Sequence, residues 1–222
     1  PGLRLPHREV SRVWHHALLA HGRAVRVIRE SSVSPDPKVG FAPCFRTTIP
    51  ASYSEADIEA ARSQMFTVQS KNVFEATWNL EPCMRGRYPE DGLHIWGNDA
   101  PVCADGDLEL MQQELDFIGL NIYQSTMVRA GKDGTPEVVP YPSDHPRTAI
   151  NWPVTPDALR WASKFLYERY QKPVIITENG LSTNDWVSRD GKVHDTGRID
   201  FLSRYISGLK TSMEEGDRKS VV

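Results

Sequence analysis

What most constrains this chain is an alternation: stretches with helical periodicity are separated by short, almost continuously apolar stretches. The clearest of the apolar stretches is Val174-Ile175-Ile176-Thr177, followed by Leu115 to Asn121 and by Val39 to Phe45. Apolar runs of this length read as strands covered on both faces, although Pro43 weakens the third. The helical stretches lie between them. Val10 to Arg29 repeats Val13, Ala17, Leu18, Ala24, Val25 and Ile28 on one face. Ser54 reads as an N-cap, with Asp57 in the first turn, of a second helix running to about Asn79. Leu80 to Val102, rich in Pro and Gly, reads as loop, and Glu109 to Glu114 as a short helix. Thr155 is positioned to cap a helix with Leu159, Ala162, Leu166 and Tyr170 on one stripe, Phe165 beside it and Pro173 as its stop. A last helix runs from about Thr196 to Glu214. Hairpin turns are expected at Gly131-Lys132-Asp133-Gly134, within Arg129 to Arg147, and at Arg189-Asp190-Gly191-Lys192.

Helix and strand in strict alternation force parallel strands joined by right-handed crossovers. A doubly wound sheet and a (β/α)₈ barrel are both built this way. Long loops after each strand favour the barrel, whose carboxyl-end face carries the site. Three strands cannot close, because a closed barrel takes eight strands and about 250 residues. The expected fold is therefore α/β, a partial and incomplete (β/α)₈ barrel of about three βα units occupying residues 1–222 as one domain.

Composition removes several functional classes. With 26 Lys+Arg against 29 Asp+Glu the formal charge is −3, which argues against nucleic acid or an anionic membrane as the main partner. No apolar stretch approaches the roughly 18 residues of a transmembrane span. Cys44, Cys83 and Cys103 are too far apart for a CxxC pair, and an odd, sparse count suits reduced thiols in the cytoplasm. Pro1 to Pro6 lack a signal peptide's apolar run and an initiator Met, so the natural start is expected upstream. His15, His16 and His21 lack metal-ligand spacing and acidic partners, so no metal or cofactor is expected.

The chemistry concentrates at Thr177-Glu178-Asn179-Gly180. A buried strand delivers Glu178 to its carboxyl end, where ligands of α/β folds bind, and Gly180 lets the backbone turn away. Asn121 and Tyr123 occupy the corresponding place on the preceding strand. Side by side, the Tyr123 phenol would hydrogen-bond Glu178 and keep it ionised and oriented, as suits a nucleophile. The plainer alternatives are a salt-bridged loop glutamate and an amphipathic rim tyrosine.

Val174 to Ser182 resembles the nucleophile signature of glycoside hydrolase family 1, the β-glucosidase family. His16 to Val25 resembles the helix after that family's acid/base strand, Arg85-Gly86-Arg87-Tyr88-Pro89 a characteristic loop, and Leu115 to Tyr123 its sixth strand. Trp152-Pro153 with Pro156, and Asp195 with Gly197-Arg198-Ile199-Asp200, complete matches spread over nearly the whole chain in family order. The resemblance implies a retaining β-glycosidase acting on β-linked glucosides or short β-glucan oligosaccharides. In it Glu178 is the nucleophile, Tyr123 its hydrogen-bond donor, Asn121 part of the glycone network and Trp152 the platform for the aglycone sugar. Ile122 stands where an aromatic or His is usual, and Glu81 where Asp is usual; Glu81 is expected to be a structural acid beside Arg85 and Arg87. The family's Asn-Glu-Pro acid/base motif does not occur. Glu215 to Val222 departs from the family before its eighth strand. The chain is thus expected to be a C-terminal-half fragment covering roughly strands five to seven, inactive alone and prone to associate. A catalytically inert half-barrel, a 6-phospho-β-glycosidase and a thioglucosidase are the alternative readings.

Overall fold

The computed structural model describes residues 3–216, so Pro1-Gly2 and the divergent end from Asp217 to Val222 lie outside the described residues. Its elements run α1 His7–Ser31, β1 Gly40–Phe41, β2 Thr48–Pro50, α2 Glu55–Phe66, α3 Ala76–Arg85, α4 Glu90–Trp96, α5 Asp107–Met111, β3 Phe117–Asn121, β4 Thr126–Ala130, β5 Pro136–Val139, α6 Ala158–Tyr170, β6 Val174–Glu178 and α7 Thr196–Glu214. They gather into two compact units. One is built from the chain up to Arg46 together with Met65–Ile118, the other from Thr47–Gln64 and the chain from Gly119 onward. No helix among the described residues is long and apolar enough to cross a membrane.

In the first unit α1 forms where its periodicity predicts, but the buried face is rotated. Ser11, His15, Leu18, Leu19, Gly22 and Val25 are buried, whereas Val13 and Ile28 are 56% and 43% exposed. Close approach decides this: a Cβ on Gly22 would lie 1.9 Å from the Leu110 carbonyl oxygen, so a helix face counted only for apolar residues misses its tightest contact. Leu18, Leu19, Val68, Trp78, Cys83, Tyr88, Trp96 and Met111 form the core here. The Trp78 and Trp96 rings stack with centroids 5.1 Å apart. His15 is buried between Tyr88 and Asp107, 3.1 Å from each through its two ring nitrogens. Among the described residues no cluster of His, Cys, Asp and Glu is arranged to hold a metal.

Three expectations change between Val39 and Val102. The helix predicted from Ser54 to about Asn79 ends at Phe66, and a new one begins at Ala76. Ser54 does cap the first, accepting the Asp57 N–H at 3.2 Å. The predicted loop from Leu80 to Val102 is largely helix, because Pro82 is carried inside α3 and Gly86 terminates it in the left-handed region at φ 64°. Pro and Gly here punctuate short helices rather than prevent them. The predicted strand Val39–Phe45 shrinks to the two residues of β1, paired in parallel through Gly40 with Phe117 and Phe41 with Ile118. Asp116, at the start of β3, accepts the Val39 N–H at 2.8 Å and Arg29 at 2.7 Å, which together hold its carboxyl below the usual range. Glu81 is buried, with Arg85 at 3.5 Å and Arg87 at 3.9 Å, the structural role expected of it.

In the second unit β2 pairs in parallel with β4, and β4 forms the predicted antiparallel hairpin with β5 across Gly131 to Gly134. The three-residue β2 was not predicted. The α6 stripe is as predicted, with Leu159, Ala162, Phe165, Leu166 and Tyr170 all buried. Thr155 does not cap it: Asp157 occupies the cap position, and the Thr155 hydroxyl instead accepts the Ser125 N–H at 3.0 Å. The signal at Arg189 to Lys192 forms a turn, closed by the Ser188 N–H on the Lys192 carbonyl at 2.8 Å, with no flanking strands. Gly119 to Asn121 of β3 lie in this unit, and β6 is the neighbouring strand.

Candidate active site

Strand periodicity places Glu178. Val174 and Ile176 are buried, side chains two apart share a face, and Glu178 is the next on that face where the strand reaches its exposed end. Three cross-strand bonds then fix it. The Ile122 N–H donates to the Glu178 carbonyl at 2.9 Å. The Asn179 side-chain amide donates to the Ile122 carbonyl at 2.8 Å. The Thr177 hydroxyl donates to Asn121 Oδ1 at 2.5 Å. The backbone around the carboxylate is therefore held on both sides, and Tyr123 Oη donates to Glu178 Oε2. A donor aimed at one carboxylate oxygen selects a single rotamer.

Tyr123 is itself held. Tyr205 of α7 donates from its hydroxyl to the Tyr123 carbonyl at 3.0 Å and accepts the Thr155 N–H at 2.8 Å. Phe201 stacks on the Tyr205 ring at 3.9 Å between centroids. Ser125, two residues after Tyr123, is bound by Thr155 and by the Thr47 hydroxyl at 2.6 Å. A helix from the far end of the sequence thus sets where the phenol stands.

Trp152 joins this group. Its ring centroid is 5.5 Å from that of Tyr123 at 47°, and 37% of the residue remains exposed. Its turn is closed by the Thr148 N–H on the Trp152 carbonyl at 2.9 Å. The Ala149 N–H, donating to the Ser182 carbonyl at 3.0 Å, ties it to the segment after Glu178. Glu178, Tyr123 and Trp152 are thus brought together, and Asn121 adjoins them through Thr177. Asp116 precedes the opposite end of β3 and is occupied by Arg29.

Three supporting residues escaped the sequence reading. Thr177 and Asn179 sit inside the motif without an assigned role, and their signal was their position either side of the glutamate. Tyr205 carried no signal beyond being an aromatic on a buried helix face.

The arrangement offers an oriented, exposed carboxylate beside an aromatic wall, which suits attack on a sugar ring. The model of glycosyl hydrolase family 1 matches residues 1–219. Beta-glucosidase A of Thermotoga maritima is 37% identical over 206 residues, covering 92% of this chain and 44% of that protein. A 1,4-beta-D-glucan glucohydrolase of Thermotoga neapolitana is 36% identical over 203 residues, covering 91% and 46%. The structure of the T. maritima beta-glucosidase in complex with castanospermine aligns with a TM-score of 0.78 at 35% identity, over 99% of this chain and 48% of that one. The chain spans about half the length of the curated relatives it matches, and the described residues contain no closed barrel. The motif, the strand-end geometry and these matches converge, and the chain belongs to glycosyl hydrolase family 1.

Proposed function

We propose that Glu178 is the nucleophile of a retaining β-glycosidase acting on β-linked glucosides or short β-glucan oligosaccharides. In this reading residues 1–222 are a section of a single (β/α)₈ barrel domain, roughly its fifth to seventh strands. The observation that carries it is the hydrogen bond from Tyr123 to Glu178 at the end of β6. Tyr123 orients the carboxylate, Asn121 contributes to binding of the glycone, and Trp152 stacks on the aglycone sugar. The beta-glucosidase and 1,4-beta-D-glucan glucohydrolase names of the relatives support that substrate class. The cytoplasm is the compartment this reading favours, in keeping with Cys44, Cys83 and Cys103 as free thiols.

The chemistry follows from one carboxylate held in place. A Glu178 oxygen attacks C1, a C–O bond forms, and the glycosidic bond breaks as its oxygen takes a proton from a second carboxyl group. That group then removes a proton from water, which attacks C1 and releases Glu178; two inversions leave the β configuration intact. The second carboxyl must stand about 5–5.5 Å from the first. Asp116 and Glu81 do not qualify, each being engaged by arginines. The 222 residues by themselves are accordingly expected to be inactive on β-glucosides.

In the natural full-length protein, Glu178→Gln is expected to lower kcat on an aryl β-glucoside by at least on the order of 10³-fold. Retention of the parent rate by that variant would refute the assignment.

A further inference from the structure

The segment from Asn179 to Asp195 leaves the end of β6 without regular secondary structure, yet its side chains brace it. Arg198, in the first turn of α7, donates through Nε to both oxygens of Asp195 at 2.9 and 2.8 Å, and through Nη2 to Asp185 at 2.6 Å. The Thr183 hydroxyl donates to that same Asp185 oxygen at 2.5 Å. A ring nitrogen of His194 lies 2.8 Å from Asp190. On this braced loop Trp186 is 71% exposed. An indole on a loop already held in place gives up little further freedom when something covers it. Trp186 borders a cleft of about 200 Å³ whose lining includes Asn184, Asp185, His194, Asp195 and Arg198.

The chemistry of the cleft narrows its occupant. Arg198 is already matched by two aspartates, so the cleft offers no spare positive charge to an anion. Those aspartates are in turn held by the guanidinium, which disqualifies them as a cation site. What remains is a flat apolar face beside an amide, an imidazole and carboxylate edges. A pyranose ring matches that set, because it presents one face of C–H groups and a rim of hydroxyls that donate and accept. The loop is also tied to the Trp152 turn by the Ala149–Ser182 hydrogen bond at 3.0 Å, so both indoles rise from segments that are joined to each other.

We propose that Trp186 and this cleft form an outer sugar subsite, which takes a unit of a β-glucan oligosaccharide farther from the reacting bond than the unit on Trp152. This rests on the reading of Glu178 as nucleophile and sharpens its substrate class toward oligosaccharides over simple aryl glucosides. The test uses the natural full-length protein. Trp186→Ala is expected to lower the ratio of kcat/KM for a β-1,4-linked glucotriose to that for an aryl β-glucoside by about tenfold, and Trp186→Phe to restore most of it. Titration of glucotriose into the Glu178→Gln protein, followed by tryptophan fluorescence, is expected to give a Kd about tenfold weaker once Trp186→Ala is added. An equal loss on both substrates, or an unaltered Kd, overturns the subsite and makes Trp186 a packing residue. Parent-level turnover by Glu178→Gln alone would instead remove the nucleophile assignment, and the change in the kcat/KM ratio would still decide the subsite.

Discussion

The Tyr88–His15–Asp107 and Tyr123–Glu178 networks look alike until burial is considered. In the first unit Tyr88, His15 and Asp107 form a line of hydrogen-bonding groups, with Tyr88 at 6% and His15 at 3% exposure. Burial pushes the Tyr88 hydroxyl far above its ordinary range, while the Ala104 N–H and His15 hold Asp107 low. Every member already has a partner, and only the Asp107 side chain, 19% exposed, reaches the surface. In the second unit Tyr123 and Glu178 meet at the exposed end of a strand, beside a half-exposed Trp152. The lesson is that a constellation of titratable groups indicates chemistry only where the strand end leaves it open to a ligand; the same groups sealed in a core are packing.

Substitution can break that contrast. The largest expected effect after loss of Glu178 is Tyr123→Phe. It removes one hydrogen bond to a charged group, worth roughly 1.5–3 kcal/mol, and should reduce kcat about 10- to 100-fold with folding stability little changed. Steady-state kinetics and denaturant unfolding of the full-length protein check it together. Tyr88→Phe should do the reverse. Leaving His15 without its buried partner is expected to cost about 1–3 kcal/mol of stability while kcat stays at the parent value. A loss of kcat with Tyr88→Phe at full stability would erase the distinction between the two networks.

The smallest effect concerns His21, which sharpens the picture of the first unit as a packed body. Burial lowers its pKa from the ordinary 6.5 to about 4, and its ring packs 4.2 Å from that of Phe41. The native state therefore holds it neutral, whereas the unfolded chain takes up a proton near pH 6.5. Its contribution is fully present above pH 6.5 and is lost as the pH falls toward 4. The unfolding midpoint should decline over that interval, and His21→Gln should flatten the decline.

How much of this was legible in the sequence depended on what each residue touches. β6, the α6 stripe and the hairpin at Gly131 could be read because local periodicity and turn chemistry decide them. The helices after Leu80 could not, since Pro82 sits in a short helix stabilised by the stacked Trp78 and Trp96 and not by its own propensity. β2 is three residues long and exists only through its pairing with β4. Thr155 carried a sound capping signal, yet its hydroxyl is taken by Ser125, 30 residues away in the sequence. The Glu178, Tyr123, Asn121 and Trp152 neighbourhood was anticipated because strand ends and family motif coincide there. Tyr205, which fixes Tyr123 from α7, depends on an 82-residue separation that no local pattern records.

The most direct measurement is to trap the sugar on the protein. A 2-deoxy-2-fluoro-β-glucoside with a good leaving group, incubated with the natural full-length protein, should leave one fluorosugar attached, and peptide mass spectrometry should find it on Glu178. A label on any other residue, or turnover with no covalent adduct, would contradict the account.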